Sequence, residues 1–244
     1  MNPPDAGWLL KFWQGLDPLS TPGTFVHTAW ATISILAFVL FSGRFYIQWF
    51  YSERLGRSVV PVAFWYMSAI GALLYLAYNT HLRSPVGTLS YSFNIVVYAR
   101  NLVHIWRHRG ILTPRAKALF NVFVAIVTLI GVGLVVYTWT HQYKTVDPEN
   151  AARTWFWIAV GATGTALFAC RFLVQWLASE AKKRSVIPTA FWYISIAAAL
   201  LQTASYAQRS EWNNLAAVAV NLPIYFRNIW LIHRPGDRPA PIGE

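Results

Sequence analysis

The sequence predicts an all-α integral membrane protein with seven transmembrane helices, arranged as two parallel three-helix bundles joined by one linker helix. Three observations lead to this 3+1+3 arrangement. The 244-residue chain is 56% hydrophobic and only 12% charged, whereas about a quarter of residues are charged in ordinary soluble domains. Seven apolar stretches approach the roughly 20 residues that a helix needs to cross the hydrocarbon core. One block of sequence also occurs twice.

The seven predicted helices occupy most of the chain and are joined by short connections. Their predicted bounds are 25–50, 60–81, 86–106, 118–141, 154–178, 187–207 and 212–232. The predicted domains are an N-terminal periplasmic or interfacial segment (1–24), a first three-helix repeat (25–107), a linker transmembrane helix (118–141) and a second three-helix repeat (154–234). Because the connections are short, we expect no soluble catalytic domain between the helices.

The distribution of basic residues predicts the orientation of these helices. Eleven Lys and Arg residues fall in connections on one predicted side of the membrane and five on the other. Cytoplasmic loops hold the excess of Lys and Arg, so we expect the N-terminus outside and the C-terminus in the cytoplasm. The net charge of +11 does not indicate a nucleic-acid partner, because the basic residues form short groups between apolar stretches.

Metal and cofactor sites are not expected from the cysteine and histidine content. The single cysteine, Cys170, excludes an intrachain disulfide and any cysteine-based metal site of known spacing. The six histidines fall near predicted helix ends, and none of them repeats between the two copies. No acid, base and nucleophile converge on one face, so we expect neither a cofactor nor enzymatic activity.

The internal repeat is the most informative feature of the sequence. Residues 44–107 align with residues 171–234 without a gap at a constant offset of 127, and roughly 24 of the 64 positions are identical. A unit with three crossings would be inverted by simple duplication, so the unpaired fourth helix restores the orientation and makes the repeats parallel. The predicted substrate path therefore lies between the two bundles.

Polar residues recur at equivalent places in both copies. Arg44 with Gln48, and Arg171 with Gln175, have the i,i+4 spacing that aims two side chains at one target. Charge at membrane depth costs a few kcal/mol unless it is paired, faces a cavity or snorkels, and guanidinium binds phosphate through two parallel hydrogen bonds. We therefore predict a phosphate site. The other predicted site residues are Arg100, Arg227, Asn94, Asn221, Tyr98, Tyr225, Asn101, Asn228, Glu53, Glu180, Trp65 and Trp192.

Several of these residues also have a structural explanation. The arginines could pair with Glu53 or Glu180, or snorkel to lipid headgroups as orientation anchors. Trp65 and Trp192 could belong to an aromatic belt instead of stacking on a sugar or an isoprenoid chain. The asparagines Asn94 and Asn221 could serve helix packing as well as substrate contact.

Three short motifs occur in both copies with the same spacing. They are Arg-Phe-x2-Gln-Trp-x2-Ser-Glu, Ser-x2-Pro-x2-Phe-Trp and Tyr-x-Arg-Asn. This pattern resembles the lipid A biosynthesis N-terminal domain family in tandem, and that family is distantly similar to the SWEET, semi-SWEET and PQ-loop three-helix-repeat membrane proteins. The resemblance implies a SWEET-like fold in the bacterial inner membrane, with membrane lipids and a polyprenyl-phosphate sugar as ligands.

The function predicted from these features is that of a lipid flippase. It would move a polyprenyl-phosphate-linked monosaccharide, such as an undecaprenyl-phosphate sugar, from the cytoplasmic to the periplasmic leaflet for lipid A and envelope glycan modification. Membrane glycosyltransferases of the same pathway are candidate partners. Two alternatives stay open: a SWEET-like facilitator of a free sugar or small solute, and a non-transporting membrane subunit of a lipid-modifying glycosyltransferase.

Overall fold

The computed structural model describes residues 13–55, 61–182 and 188–233, and all regular elements in these ranges are helical. The main helices are α1 (Phe25–Leu55), α2 (Val62–His81), α3 (Pro85–His108), α4 (Pro114–Thr145), α5 (Ala151–Lys182), α6 (Thr189–Gln208), α7 (Trp212–Ala219) and α8 (Leu222–His233). A 3₁₀ turn at Pro148–Asn150 precedes α5. Six predicted spans correspond to single helices, whereas the seventh is divided into α7 and α8.

Several of these helices are long and apolar enough to cross a membrane. Within the described ranges, the segments that meet this criterion are Phe25–Tyr51, Val62–His81, Pro114–Thr145 and Pro148–Gln175. Helix α3 does not, because residues such as Asn94 and Arg100 interrupt its apolar sequence. An all-helical chain with several apolar helices is thus confirmed, as the sequence predicted.

The linker helix α4 presents a large apolar surface. Only 6% of its most apolar 18-residue stretch is buried, and Leu129 is 72% exposed. An apolar surface of this extent is rare on soluble monomers and is what a lipid-facing helix requires. The opposite side of α4 contacts α3, where Thr88 and Thr138 share a hydrogen bond of 2.8 Å and the Trp139 Nε1 donates to the Pro85 carbonyl at 3.1 Å.

The described chain divides into two compact units. The first unit contains residues 13–43 and 65–144, and the second contains residues 44–55, 61–64 and the described part of 145–233. Helix α1 therefore contributes to both units, and Arg44 is the first residue of its part in the second unit. This division does not coincide with the predicted repeat bounds of 25–107 and 154–234, which stay a prediction.

An aromatic cluster forms the interior of the first unit. The rings of Tyr75 and Tyr91 are stacked at 4.6 Å, and Phe41 meets them edge-on at 5.6 and 5.5 Å. Tyr75 is fully buried and Tyr91 is 3% exposed. Since aromatic pairs contribute roughly 0.5–1.5 kcal/mol beyond the burial of their area, this cluster joins α1, α2 and α3.

The segment before α1 is bound to the end of α2 through buried polar groups. The Tyr78 hydroxyl donates to the Leu16 carbonyl at 2.7 Å, and the His81 Nε2 lies 2.9 Å from Asp17 Oδ1. Burial alone would raise the pKa of Asp17, but hydrogen bonds from Ser20, His81 and the Leu19 amide, together with the charge of His81, hold that pKa below its ordinary 3.8. The ionised carboxylate therefore stabilises this end of the first unit.

The substitution Asp17→Asn is expected to destabilise the protein by about 1–3 kcal/mol near neutral pH, because it leaves His81 without its charged partner. Since folding lowers the pKa of Asp17, its stabilisation is complete above the ordinary value of 3.8 and is lost as the pH falls through the lowered value. Thermal unfolding in detergent between pH 3 and pH 7 measures both effects. The exposed Glu149→Gln is the control, and equal melting temperatures for Asp17→Asn and wild type at pH 7 would contradict the role of Asp17.

The second unit is built on α6, which packs against α5, α7 and α8. Gly164 allows the close approach of α5 and α6, because a Cβ at this position would lie 2.9 Å from the Ala198 carbonyl oxygen. Beside it, the Gln202 Nε2 donates to the Thr165 Oγ1 at 2.8 Å. A glycine and a buried side-chain hydrogen bond thus fix the two helices that carry the candidate site.

The division of the seventh predicted span has a local cause. Pro223 has no N–H, so it cannot form the helical hydrogen bond to the Ala219 carbonyl. The chain turns at Val220 and Asn221. The backbone N–H of Asn221 donates to the Val218 carbonyl and not to the Ala217 carbonyl, as it would in an α-helix. The side-chain Nδ2 of Asn221 donates to the Ala217 carbonyl instead, at 3.0 Å. The prediction of one helix over 212–232 is therefore wrong at its centre.

Candidate functional site

Arg171 lies in a cage of aromatic rings inside the second unit. Its guanidinium carbon is 4.5 Å from the ring centroid of Phe168, 4.7 Å from Phe172 and 5.3 Å from Phe191. Phe168 and Phe172 lie one turn apart on the helix that carries Arg171, and Phe191 comes from α6. A cation over an aromatic face is stabilised by about 0.5–2 kcal/mol. These rings therefore stabilise the charge of Arg171, which is half-buried.

The hydrogen bonds of Arg171 use only part of its donor capacity. The Nη1 donates to the Ser195 Oγ and to the Tyr225 Oη, each at 3.2 Å. The buried Nε has no hydrogen-bond partner among the described residues. Arg171 forms no ion pair with any residue that the structure describes. The charge and one N–H of this guanidinium are therefore suited to an anion.

Ser195 and Tyr225 place the guanidinium from two other helices. The Ser195 Oγ donates to the Phe191 carbonyl at 2.6 Å, which directs its lone pairs towards Arg171. Tyr225 is 3% exposed, and its ring lies 6.2 Å from that of Trp192. Residues from α5, α6 and α8 thus meet at one cation, and both Arg171 and Tyr225 are among the predicted site residues.

The first copy repeats much of this arrangement. Arg44 is 4% exposed, and its guanidinium carbon lies 4.8 Å from the Phe45 centroid and 5.2 Å from the Phe64 centroid. In the first unit, Tyr98 is 4% exposed with its ring 6.4 Å from that of Trp65, which matches the Trp192 and Tyr225 pair. The same residue types therefore produce the same ring geometry in both copies.

The other predicted site residues divide into two groups. Gln48, Gln175 and Asn94 are half-buried, and Asn221 is 5% exposed. Arg100 and Arg227, in contrast, are exposed. Each follows the buried tyrosine of its helix by two residues, which is a rotation of about 200°. Tyr225 faces Arg171, so Arg227 points to another side of α8.

Two further pairs of predicted residues have different outcomes. The Asn101 Nδ2 donates to the Val97 carbonyl at 2.8 Å, and the Asn228 Nδ2 donates to the Ile224 carbonyl at 2.7 Å. These bonds lie within their own helices and use one of the two N–H donors of each Nδ2, so the amide oxygen and one N–H of each side chain are not used by them. The side chains of Glu53 and Glu180 lie outside the described residues.

Sequence reasoning missed the aromatic residue that precedes each arginine. Phe168 gives the shortest of the cation–ring distances at Arg171, and Phe41 is its equivalent at the offset of 127. Both lie three residues before the start of the aligned block. Extending the alignment by one helical turn towards the N-terminus would have found this identical pair.

Comparison with known proteins gives a family match in both copies. The family described as the Lipid A Biosynthesis N-terminal domain matches residues 33–103 and 160–230, which confirms the predicted repeat and its offset. No solved structure matches the chain.

Curated relatives come from several Chlamydia species. The lipid-A-disaccharide synthase of Chlamydia felis (strain Fe/C-56) is 28% identical over 221 residues, which cover 85% of this chain and 34% of the relative. The protein of the same name from Chlamydia abortus is 27% identical, with 83% and 33% covered. That of Chlamydia muridarum is 30% identical, with 67% and 28% covered. The chain thus spans about a third of the length of these relatives.

These relatives correct the predicted function. They are named as a synthase, which is an enzyme, so the predictions of a lipid flippase and of no enzymatic activity are wrong. The physical reason is that a buried arginine and its polar neighbours indicate an anionic ligand, but they do not indicate whether that ligand is moved or chemically altered. The alternative of a non-transporting membrane subunit agrees better with the relatives.

Proposed function

The chain belongs to the Lipid A Biosynthesis N-terminal domain family, and from this membership we propose that it is the non-transporting membrane module of a lipid-A-disaccharide synthase system. As a subunit or a domain, it holds the lipid substrate or product of the glycosyltransferase in the membrane. The observation that carries this proposal is the match of 85% of the chain to a third of an enzyme of that name. The catalytic groups then belong to the remaining part of such an enzyme.

The chemistry of the Arg171 cage supports a lipid-holding role. An anionic headgroup can accept hydrogen bonds from the guanidinium. The acyl chains of the same lipid can pack against the aromatic rings and the exposed apolar helices. Arg44 provides a second buried guanidinium, which lies beside the rings of Phe45 and Phe64. Phosphorylated lipid A precursors fit this combination. A polyprenyl-phosphate sugar is a second candidate ligand, since it also joins a phosphate to an apolar chain.

The membrane arrangement that accompanies this role has seven crossings in the bacterial inner membrane, as 3+1+3 parallel repeats. It leaves the N-terminus in the periplasm and the C-terminus in the cytoplasm. Reporter fusions after His108 and after His233 are expected to be active only as cytoplasmic reporters, and a fusion after Lys144 only as a periplasmic one. Periplasmic activity at His108 would contradict the orientation, because the basic residues near it support the cytoplasmic side.

The proposal is tested by synthase activity in membranes that contain or lack this chain. The rate of lipid A disaccharide formation from labelled monosaccharide precursors is expected to fall several-fold without the chain and to recover on re-expression. The assay is made after detergent solubilisation, where both leaflets are accessible, so a transport defect cannot lower the rate. Equal rates with and without the chain would overturn the proposal.

A further inference from the structure

The two copies differ at the centre of their third helices. In the first copy α3 is continuous from Pro85 to His108 and has Val96 at the position equivalent to Pro223. In the second copy the chain is interrupted at Val220 and Asn221, and α8 begins at Leu222 with Pro223 in its first turn. Proline is favoured in the first turn of a helix, so this sequence starts a new helix in the middle of a predicted crossing.

The start of α8 leaves a buried acceptor without a partner. At the N-cap position an asparagine oxygen usually accepts a hydrogen bond from an amide of the first turn. Here Pro223 has no N–H, and the Ile224 and Tyr225 amides bond to the backbone carbonyl of Asn221 at 3.1 and 3.2 Å. The Asn221 Nδ2 is used by Ala217, and the Oδ1 has no hydrogen-bond partner in the described part of the chain. Asn221 is 5% exposed, so this oxygen is shielded from solvent.

The tyrosine that binds the cation of the second copy lies one helical turn after Asn221. Tyr225 follows Asn221 by four residues, about 6 Å along the axis, and its hydroxyl accepts a hydrogen bond from Arg171. Both residues are buried. The aligned peptide dipoles of α8 add a partial positive charge at the N-terminus of this helix. Three features thus occur together in the second unit. They are the unpartnered N–H of Arg171, the positive end of α8 and the unpartnered oxygen of Asn221.

The geometry points to a headgroup site in the second copy that binds a phosphorylated sugar. Phosphate accepts from the Arg171 Nε and lies near the start of α8, and a sugar hydroxyl or amide N–H donates to the Asn221 Oδ1. This inference rests on the proposed function and specifies its ligand chemistry. In the first copy α3 is continuous, so no helix begins at the equivalent position and we expect no such headgroup site there.

Four probes separate the parts of this chemistry in a binding assay. The purified full chain in nanodiscs is titrated with a diacylated glucosamine 1-phosphate, its dephosphorylated form, phosphatidic acid and soluble glucosamine 1-phosphate, followed by Trp fluorescence or native mass spectrometry. The phosphorylated glycolipid is expected to bind at least about tenfold more tightly than the dephosphorylated lipid or phosphatidic acid. Equal affinity of these three lipids would overturn the inference. Comparable binding of the soluble sugar phosphate would identify the headgroup alone as the ligand, whereas its weaker binding would assign a share to the acyl chains.

Three variants locate the site. Arg171→Gln, Asn221→Asp and Pro223→Val are each expected to weaken binding of the phosphorylated glycolipid at least about tenfold, the last because it gives the second copy the residue of the first. Val96→Ala in the first copy is expected to change the affinity less than about twofold. Melting temperatures within a few degrees of wild type establish that a variant is folded. Unchanged affinity in folded Arg171→Gln and Pro223→Val would overturn the site.

The outcome also separates this inference from the proposed function. Synthase activity that depends on the chain, without selective binding of the phosphorylated glycolipid, would reject the inference alone. Selective binding by a chain whose deletion leaves the solubilised synthase rate unchanged would reject the proposed function alone.

Discussion

Replacing Arg171 with lysine is expected to lower the rate of lipid A disaccharide formation by tenfold or more, even though the charge is kept. Lysine is a point donor, whereas the guanidinium is a planar group that contacts the rings of Phe168, Phe172 and Phe191 and bonds to both Ser195 and Tyr225. An ammonium group at this place could not keep all of these contacts and still bind an anion. The rate is measured in detergent-solubilised membranes, as for the deletion.

Arg153 provides the matched control on the same helix. It is exposed near the start of α5 and donates to the Gln208 side chain at 3.1 Å. Arg153→Lys is therefore expected to change the rate less than about twofold. If Arg171→Lys, present in membranes in normal amounts, retained the full rate, the arginine cage would have no part in the function of this chain.

Much of the helical pattern was predictable because it depends on properties that the sequence shows directly. Long apolar stretches gave six helices close to their observed bounds. The placement of α4 as a linker between two repeats stays a prediction, because α4 up to Lys144 belongs to the first compact unit. The seventh helix was wrong at its centre because the apolar residues on both sides of Asn221 together were long enough for one crossing. Pro223 was visible in the sequence, but its effect depends on the Asn221 side chain bridging to Ala217.

The candidate site was predictable only in part. The repeat identified Arg171 and Tyr225, because a charge at membrane depth needs a compensating environment in either copy. It did not separate Arg171 from Arg227, since the direction of a side chain depends on the rotation of its helix. Phe168, whose ring is nearest to the guanidinium carbon, was also missed, because the aligned block begins three residues later at Arg171.

The function could not be read from the site residues. A bound phosphate has the same chemistry in a flippase, in an enzyme subunit and in a lipid anchor. The distinction came from relatives named lipid-A-disaccharide synthase, of which this chain covers about a third. The unpartnered Arg171 Nε and Asn221 Oδ1 support the ligand chemistry that we propose, whereas the reaction that we propose depends on the relatives.

Gly164→Ala is expected to destabilise the second unit by about 1–3 kcal/mol and to lower the melting temperature, although alanine is the better helix former. The new Cβ would lie 2.9 Å from the Ala198 carbonyl oxygen and 2.8 Å from the Gln202 Cγ. The backbone carbonyl cannot move away without shifting α6. Arg171 follows Gly164 by two turns on the same helix, so a wider separation of α5 and α6 also moves the arginine from Ser195.

The control and a second-site variant show which contact limits the approach of α5 and α6. A Cβ at Gly133 in α4 has no heavy atom within 4 Å, so Gly133→Ala is expected to leave the melting temperature unchanged or to raise it slightly. Combining Gly164→Ala with Gln202→Ala removes the side-chain contact but not the carbonyl contact, so we expect only partial recovery. Full recovery would show that the helices can tolerate the methyl group, and that Gln202 alone limits how closely they pack.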